Sequence, residues 1–190
     1  DFYHSPLSSL IAVENTTNKG GGACWDINEL KKIQKVAKLN KLGMHLDGAR
    51  IWNAMVYKED NPLDIGGVFD TISVCLSKGL GCPIGSVLIG DNEIMSNALR
   101  IRKILGGGMR QAGYLASAGI FALDNNINRL SEDHLRAHEI GEVLGKLKYV
   151  KSVEKIETNI VIFELNKEIN ELSFIDKLNS LNIKLISMGS

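Results

Sequence analysis

The chain has 190 residues, of which 44% are hydrophobic and 23% charged, a composition typical of a globular protein and unlike that of a disordered one. Its 22 Lys and Arg residues balance its 22 Asp and Glu residues, which argues against a dedicated nucleic-acid-binding or membrane-surface protein. The longest apolar-rich run, residues 80–90, is interrupted by Pro83 and by glycines, and it is too short to cross a membrane.

The first elements predict a parallel strand–helix–strand unit. Residues 10–13 form an apolar run typical of a buried strand, which ends at the polar pair Glu14-Asn15. Asp26, with Glu29 three residues later, predicts a capped helix that ends before Gly43. A second strand at residues 44–46 delivers Asp47 and Arg50 to its carboxyl end. The unit spans about 35 residues, the length that a parallel crossover requires.

The next segments extend this α/β body. A short helix at 51–57 precedes a β-rich run at 71–76, which delivers Ser77-Lys78 at its end. A tight Gly/Pro turn then leads to a strand at 85–89, compatible with an antiparallel arrangement. Helical periodicity predicts three further helices, at residues 91–104, 111–126 and 131–147.

The tail has a different character. Residues 159–165 and 183–186 read as strands, and residues 174–181 between them as a helix. This change from an α/β body to an α+β tail predicts a domain boundary near residue 130.

Three charged side chains follow neighbouring predicted strands: Asp47, Arg50 and Lys78. Ligands bind beyond the carboxyl ends of strands in open α/β sheets. We expect these groups to be desolvated together, which a ligand or mutual pairing must offset. A lysine made neutral by desolvation and a nearby cation can form an imine with an aldehyde, and an aspartate can keep a ring nitrogen protonated. Together they suggest the protein side of a pyridoxal phosphate site.

Other interpretations of these residues remain open. Lys78 is also compatible with an exposed loop lysine, Asp47 with a simple Asp-Gly turn, and Arg50 with a surface charge at a helix start. His134 and His138 lie one helical turn apart, as metal ligands do. Because no third ligand lies nearby in the sequence, we expect an ordinary amphipathic helix and no metal site there.

Four motifs carry a family resemblance: residues 10–18 (LIAVENTTN), 45–50 (HLDGAR), 73–85 (SVCLSKGLGCPIG) and 106–111 (GGGMRQ). They resemble the low-specificity L-threonine aldolases, in the β-eliminating-lyase branch of the fold-type-I pyridoxal phosphate enzymes. The resemblance implies an α/β large domain with a mostly parallel sheet in residues 1–130, followed by part of a small α+β domain in residues 131–190.

The resemblance also implies a role for each matching residue. Lys78 corresponds to the lysine that binds the cofactor covalently, and Asp47 to the aspartate that pairs with the pyridine nitrogen. Arg50 corresponds to an arginine that contacts the cofactor and the substrate carboxylate. Arg110 corresponds to an arginine near the cofactor phosphate, supplied by a neighbouring subunit. His4 has the position of a family histidine near the substrate hydroxyl, and acts as a catalytic and substrate-binding residue.

The implied activity is the pyridoxal 5'-phosphate-dependent cleavage of threonine or allo-threonine to glycine and an aldehyde. A homotetramer with sites between subunits is implied as well. Family members are roughly twice as long, so we expect this chain to be the middle of such an enzyme. Thr17 departs from the family by standing where many members have histidine. Another fold-type-I lyase, or a piece without catalytic activity, is the alternative.

The three cysteines bear on the compartment. Cys24, Cys75 and Cys82 are odd in number and lack the spacing of metal ligands. They predict free thiols in a reducing, cytoplasmic setting.

Overall fold

The computed structural model describes residues 3–4 and 6–188, and its architecture is α/β. The elements in chain order are β1 (Leu10–Glu14), α1 (Ile27–Leu39), β2 (Gly43–Gly48), α2 (Ile51–Lys58), α3 (Pro62–Gly66), β3 (Thr71–Cys75), β4 (Ser86–Gly90), α4 (Asn92–Ile104), α5 (Gly113–Asn125), α6 (Leu130–Leu144), β5 (Val150–Val153), β6 (Phe163–Leu165) and α7 (Glu171–Ser180).

The first four strands form one sheet in the order β1-β2-β3-β4. The strands β1, β2 and β3 are parallel, and β4 runs antiparallel to β3, as the sequence suggested. Glu14 lies beside Asp47, and Asp47 lies beside Ser73. The carboxyl ends of the three parallel strands therefore meet at one edge of the sheet.

The main core forms where alternate residues of the sheet pack against helices. In β2, Met44 and Leu46 are 2% and 0% exposed, whereas Asp47, on the other side of the pleat, is exposed. Leu30 and Ala37 of α1, seven residues apart, belong to the same buried cluster. Burial of each large side chain contributes about 1.5–3 kcal/mol, so this core fixes the position of the strand ends.

The start of α1 illustrates how local sequence sets an element. The Asp26 carboxylate accepts a hydrogen bond from the Asn28 backbone N–H at 2.8 Å, which confirms the predicted N-cap. The predicted partner Glu29 instead accepts a hydrogen bond from the Lys32 ammonium at 2.6 Å. That exposed ion pair contributes little to stability because solvent screens it.

A second buried cluster joins the segment after β3 to the helices that follow. It consists of Leu80, Cys82, Ala122 and Leu130, with Trp52 of α2 packed against it. The segment that follows β3 is thus held by α2, α5 and the start of α6.

The prediction of the strands in the tail is partly wrong. Only residues 163–165 of the predicted strand at 159–165 form β6, which pairs with β5, a strand that the pattern missed. Residues 183–186 form no strand, since a strand needs a hydrogen-bonded neighbour and the structure pairs none with them. Ile186 is 89% exposed. The domain boundary near residue 130 stays a prediction.

The edge of the sheet at β4 leaves much apolar surface uncovered. Val87, Leu88 and Ile89 are 45–48% exposed. The adjacent α4 contributes no buried residue. Among residues 3–4 and 6–188, no helix combines the length and the apolar character that a membrane crossing needs.

Candidate active site

Asp47 and Lys78 follow neighbouring strands at the same edge of the sheet. Asp47 is the second-last residue of β2 and lies beside Ser73 of β3, and Lys78 lies three residues beyond the end of β3. The Asp47 Oδ1 accepts a hydrogen bond from the Ala49 backbone N–H at 3.0 Å. In the part of the chain that the structure describes, this is the only hydrogen bond of the carboxylate, so its second oxygen can accept one from a ligand.

Lys78 lies in a turn, residues 77–82, that we call the Lys78 turn. The Gly81 N–H donates to the Lys78 carbonyl at 2.9 Å, and Gly81 has a φ of 78°, a conformation that glycine adopts without strain. The Asn126 amide donates to the Leu80 carbonyl at 2.7 Å. Leu80 is only 2% exposed, so its buried side chain anchors the backbone of the turn. Lys78 itself is exposed.

Arg50 is held toward the end of the neighbouring strand β1. It occupies the N-cap position of α2, and its guanidinium donates to the Asn18 side-chain oxygen at 3.2 Å. The Asn18 backbone N–H in turn donates to a Glu14 carboxylate oxygen at 3.2 Å. Arg50 is half-buried. The contacts orient one face of the guanidinium and leave its remaining N–H groups for an anion.

Arg110 lies in an exposed segment, residues 105–112, that we call the Arg110 loop. Leu105 and Met109 in this loop are 79% and 63% exposed. The loop connects α4 to α5, and Arg110 is itself exposed. Across the described residues, its guanidinium has no hydrogen bond and no ion pair.

His4 is exposed, and its ring lies against that of Tyr3 with the ring centroids 3.8 Å apart. Its assignment near a substrate hydroxyl stays a prediction.

The expected desolvation of the strand-end charges is wrong for this chain. Asp47 and Lys78 are exposed, and only Arg50 is half-buried. The alternation of β2 places Asp47 on the face opposite Met44 and Leu46, where its side chain is exposed. Asp47 and Lys78 are therefore solvated, and the argument that desolvated charges must be paired does not apply to these two residues.

Two buried polar residues at the end of β1 had no assigned role in the sequence. Asn15 and Thr16 are 1% and 0% exposed, and neither the Asn15 Nδ2 nor the Thr16 hydroxyl has a hydrogen-bond partner among the described residues. The Asn15 backbone N–H donates to the Asp47 carbonyl at 3.0 Å, so these groups lie next to the Asp47 strand end. Buried donors without partners are rare and costly. The Glu14-Asn15 strand end indicated a polar site, but nothing in the pattern indicated the burial of Thr16.

The Gly-rich turn after β1 is closed by a segment from the tail. The Cys24 N–H donates to a Glu157 carboxylate oxygen at 2.9 Å, and the Thr158 hydroxyl donates to the Gly22 carbonyl at 2.8 Å. Burial, reinforced by the negative charge of Glu157, raises the pKa of the Cys24 thiol to about 12. Burial opposes ionisation of Glu157, but hydrogen bonds from Lys155 and Cys24 outweigh it and hold the pKa of Glu157 below its ordinary value.

The two histidines of α6 face different surroundings. His134 is 7% exposed and its Nε2 lies 3.2 Å from the Asn53 Nδ2, whereas His138 is exposed. In residues 3–4 and 6–188, no group of three or more His, Cys, Asp or Glu side chains is arranged to hold a metal ion. The buried ring of His134 lies at the contact between α6 and α2.

The α/β fold, with its mostly parallel sheet followed by an antiparallel strand, is shared with solved fold-type-I pyridoxal phosphate enzymes. The crystal structure of threonine aldolase from Leishmania major superimposes with a TM-score of 0.75, covering 93% of this chain and 51% of that one. The two are 23% identical, so this likeness shows the fold.

The sequence profile of the family described as beta-eliminating lyase matches residues 1–168, and the chain belongs to this family. The low-specificity L-threonine aldolase of Escherichia coli (strain K12) is 39% identical over 168 residues, which are 88% of this chain and 49% of that protein. Low-specificity L-threonine aldolase 1 of Arabidopsis thaliana is 37% identical over 161 residues, 84% of this chain and 45% of that protein. The chain thus spans about half the length of these curated relatives. The resemblance identified from the four motifs is confirmed.

Proposed function

We propose that this chain is part of a lyase that cleaves β-hydroxy-α-amino acids, such as L-threonine and L-allo-threonine, to glycine and an aldehyde, with pyridoxal 5'-phosphate as cofactor. The observation that carries the proposal is the 39% identity to the Escherichia coli low-specificity L-threonine aldolase over 168 residues. That stretch is long enough to take in the strand ends where Asp47, Arg50 and Lys78 lie.

The residues at these strand ends fit the cofactor. Lys78 offers an exposed primary amine, Asp47 an exposed carboxylate with a free oxygen, and Asn15 a buried amide nitrogen without a partner. An amine can bind an aldehyde carbon covalently, and a carboxylate can keep a proton on a ring nitrogen. When bound, pyridoxal phosphate draws electrons away from the bonds at the α-carbon of an amino acid. Arg110 is the proposed contact for its phosphate group.

The substrate contacts follow from the charges. Arg50 would bind the α-carboxylate, since its guanidinium is oriented by Asn18 and retains free donors. A fixed carboxylate selects which bond at the α-carbon is broken, because rotation about that carbon is then limited. His4 would accept the proton of the β-hydroxyl group as the bond between the α- and β-carbons breaks. Asp47 stabilises charge that develops only in the transition state, so it acts on rate more than on affinity.

The oligomer and the compartment are part of the proposal. An exposed Arg110, without a partner among the described residues, supports a site completed between subunits of a homo-oligomer, and we propose a tetramer. Three free thiols support a reducing compartment, which we propose to be the cytoplasm.

The test uses the intact protein with added pyridoxal phosphate. We expect the long-wavelength absorbance band of lysine-bound cofactor, lost in Lys78→Ala and retained in Lys35→Ala, which removes an exposed lysine of α1. In Asp47→Asn we expect kcat for threonine to fall by about 100-fold while KM changes by less than about 3-fold. A protein that shows neither the band nor glycine formation contradicts the proposal.

A second candidate is a lyase that acts by β-elimination, which the family description itself favours. Turnover of threonine, allo-threonine and phenylserine, with glycine as product, separates this candidate from the aldolase. The β-elimination alternative predicts faster turnover of cysteine or tyrosine, with pyruvate as product.

A further inference from the structure

The proposed mechanism leaves one buried polar pair without a role. Asn53 of α2 and His134 of α6 are 3% and 7% exposed, and the Asn53 Nδ2 lies 3.2 Å from the His134 Nε2. Burying two polar side chains costs free energy that a hydrogen bond between them only offsets. Two apolar side chains would join the same helices without that cost. The pair therefore calls for an explanation beyond packing.

Asn53, one member of the pair, lies beside the Lys78 turn. A Cβ atom placed on Gly79 would lie 3.7 Å from the Asn53 Oδ1 and 4.0 Å from its Nδ2. The amide of Asn53 thus borders the space that a side chain of residue 79 would occupy. The Leu130 Cδ2 borders the same space, 2.7 Å from that Cβ position.

The hydrogen bond within the pair defines the state of the ring. The Asn53 Nδ2 is a donor, so the His134 Nε2 must be an unprotonated acceptor and the ring proton must lie on Nδ1. Burial holds the pKa of His134 below its ordinary value, which favours this neutral form. The titratable groups around the ring are Asp133 and His138 on α6 and Tyr57 on α2, whose ring lies edge-on to His134 with the centroids 6.4 Å apart.

The same amide also faces the turn. With its Nδ2 donating to His134, its Oδ1 is the amide atom nearer to the Gly79 Cβ position. The other half of the turn is held separately, by the hydrogen bond from Asn126 to the Leu80 carbonyl. The Lys78 turn therefore has a hydrogen bond from Asn126, the residue after α5, at Leu80, and it has Leu130 and the amide of Asn53 beside Gly79.

We propose that Asn53 and His134 are positioning residues: their hydrogen bond fixes the Gly79 backbone and thereby sets where the Lys78 amine lies relative to Asp47. The role of the Lys78 amine rests on the proposed function, whereas the support of the turn does not. Loss of the pair leaves the amine present but displaced, so the covalent capture of an aldehyde slows.

The test uses the intact protein and four variants. His134→Leu removes the acceptor, and His134→Gln supplies a side-chain oxygen that can replace it. Asn53→Leu/His134→Leu removes both partners and leaves no unpaired buried polar atom, so it should fold even if His134→Leu does not. His138→Leu is the matched control, one helical turn away and exposed.

Two measurements are made on each variant. The first is hydrogen exchange of the backbone amides of residues 78–82 in cofactor-free protein. The second is the rate at which the cofactor absorbance band forms after pyridoxal phosphate is added. We expect exchange to rise and band formation to slow by about tenfold in His134→Leu and in the double variant, the size expected for one buried hydrogen bond. His134→Gln should stay within about threefold of the parent protein, and His138→Leu should match it.

The outcomes separate the two proposals. If the double variant exchanges and forms the band like the parent protein, or if His134→Gln is as impaired as His134→Leu, the positioning role is wrong. If the parent protein forms no band but the exchange pattern is as expected, the proposed function fails and the support of the turn stands.

Discussion

Two glycine-containing segments of this chain carry a lysine or arginine that the family motifs single out, yet they differ in how they are held. In the Lys78 turn, Leu80 and Cys82 are 2% and 7% exposed and the backbone receives a hydrogen bond from Asn126. In the Arg110 loop, Leu105 and Met109 are 79% and 63% exposed. The Lys78 turn is therefore held in place by buried side chains and a hydrogen bond within this chain. The Arg110 loop has no comparable support among the described residues, which suits an arginine donated to a site elsewhere.

The largest effect on stability should come from removing the buried side chain of Leu80 in the Lys78 turn. Leu80→Ala removes a side chain that is 2% exposed, and we expect the free energy of unfolding to fall by about 2–5 kcal/mol. Leu105→Ala, in the exposed Arg110 loop, should change it by less than about 0.5 kcal/mol. Urea denaturation of both variants measures the difference. Equal losses would show that the two segments are supported alike.

A smaller effect on stability should come from adding a methyl group at a glycine position of the Lys78 turn. In Gly79→Ala the new Cβ would lie 2.7 Å from the Leu130 Cδ2, a buried atom that must shift. We expect a loss of about 1–3 kcal/mol from overpacking. Gly113→Ala, at the first residue of α5, meets no atom within 4 Å and should stabilise the protein by up to about 1 kcal/mol. Thermal unfolding of the two variants checks that their stability changes have opposite signs. If Gly79→Ala left the stability unchanged, the turn and Leu130 could shift to make room for the new methyl group.

The smallest effect concerns pH. Because burial lowers the pKa of His134 in the folded chain, its contribution to stability is complete above its unfolded pKa near 6.5 and is lost as the pH falls through the lower folded value. We expect the Lys78 turn to open more readily at acid pH, while the Arg110 loop shows no such dependence. Hydrogen exchange of both segments, corrected for the intrinsic rate at each pH, measures this. The dependence should vanish in His134→Gln and persist in His138→Gln.

The sequence predicted the elements whose signals are local. The strands β1 to β4 and the helices α1 and α2 followed from apolar runs and a cap such as Asp26, and the strand ends placed Asp47 and Lys78 at one edge. The four-residue strand β5 was missed because two of its residues are exposed, so its alternation is too short to recognise. The apolar residues 183–186 suggested a strand that has no neighbour to pair with.

The surroundings of the site could not be predicted from the sequence. Whether Asp47 and Lys78 are desolvated depends on what covers the sheet edge, and the pattern of β2 says only that Asp47 lies opposite Met44 and Leu46. The contact between Asn53 and His134 joins residues 81 positions apart, so no local periodicity reports it. The spacing of His134 and His138 predicted an ordinary amphipathic helix, and it carried no signal for a hydrogen bond from His134 to an amide of another helix.

The open edge at β4 has a practical consequence for handling the protein. Among the residues that the structure describes, β4 exposes Val87, Leu88 and Ile89 and has no strand on its outer side, and such an edge is a template for another strand. Such an edge favours edge-to-edge aggregation of the chain, and lysine in place of Leu88 is the substitution that would weaken this association.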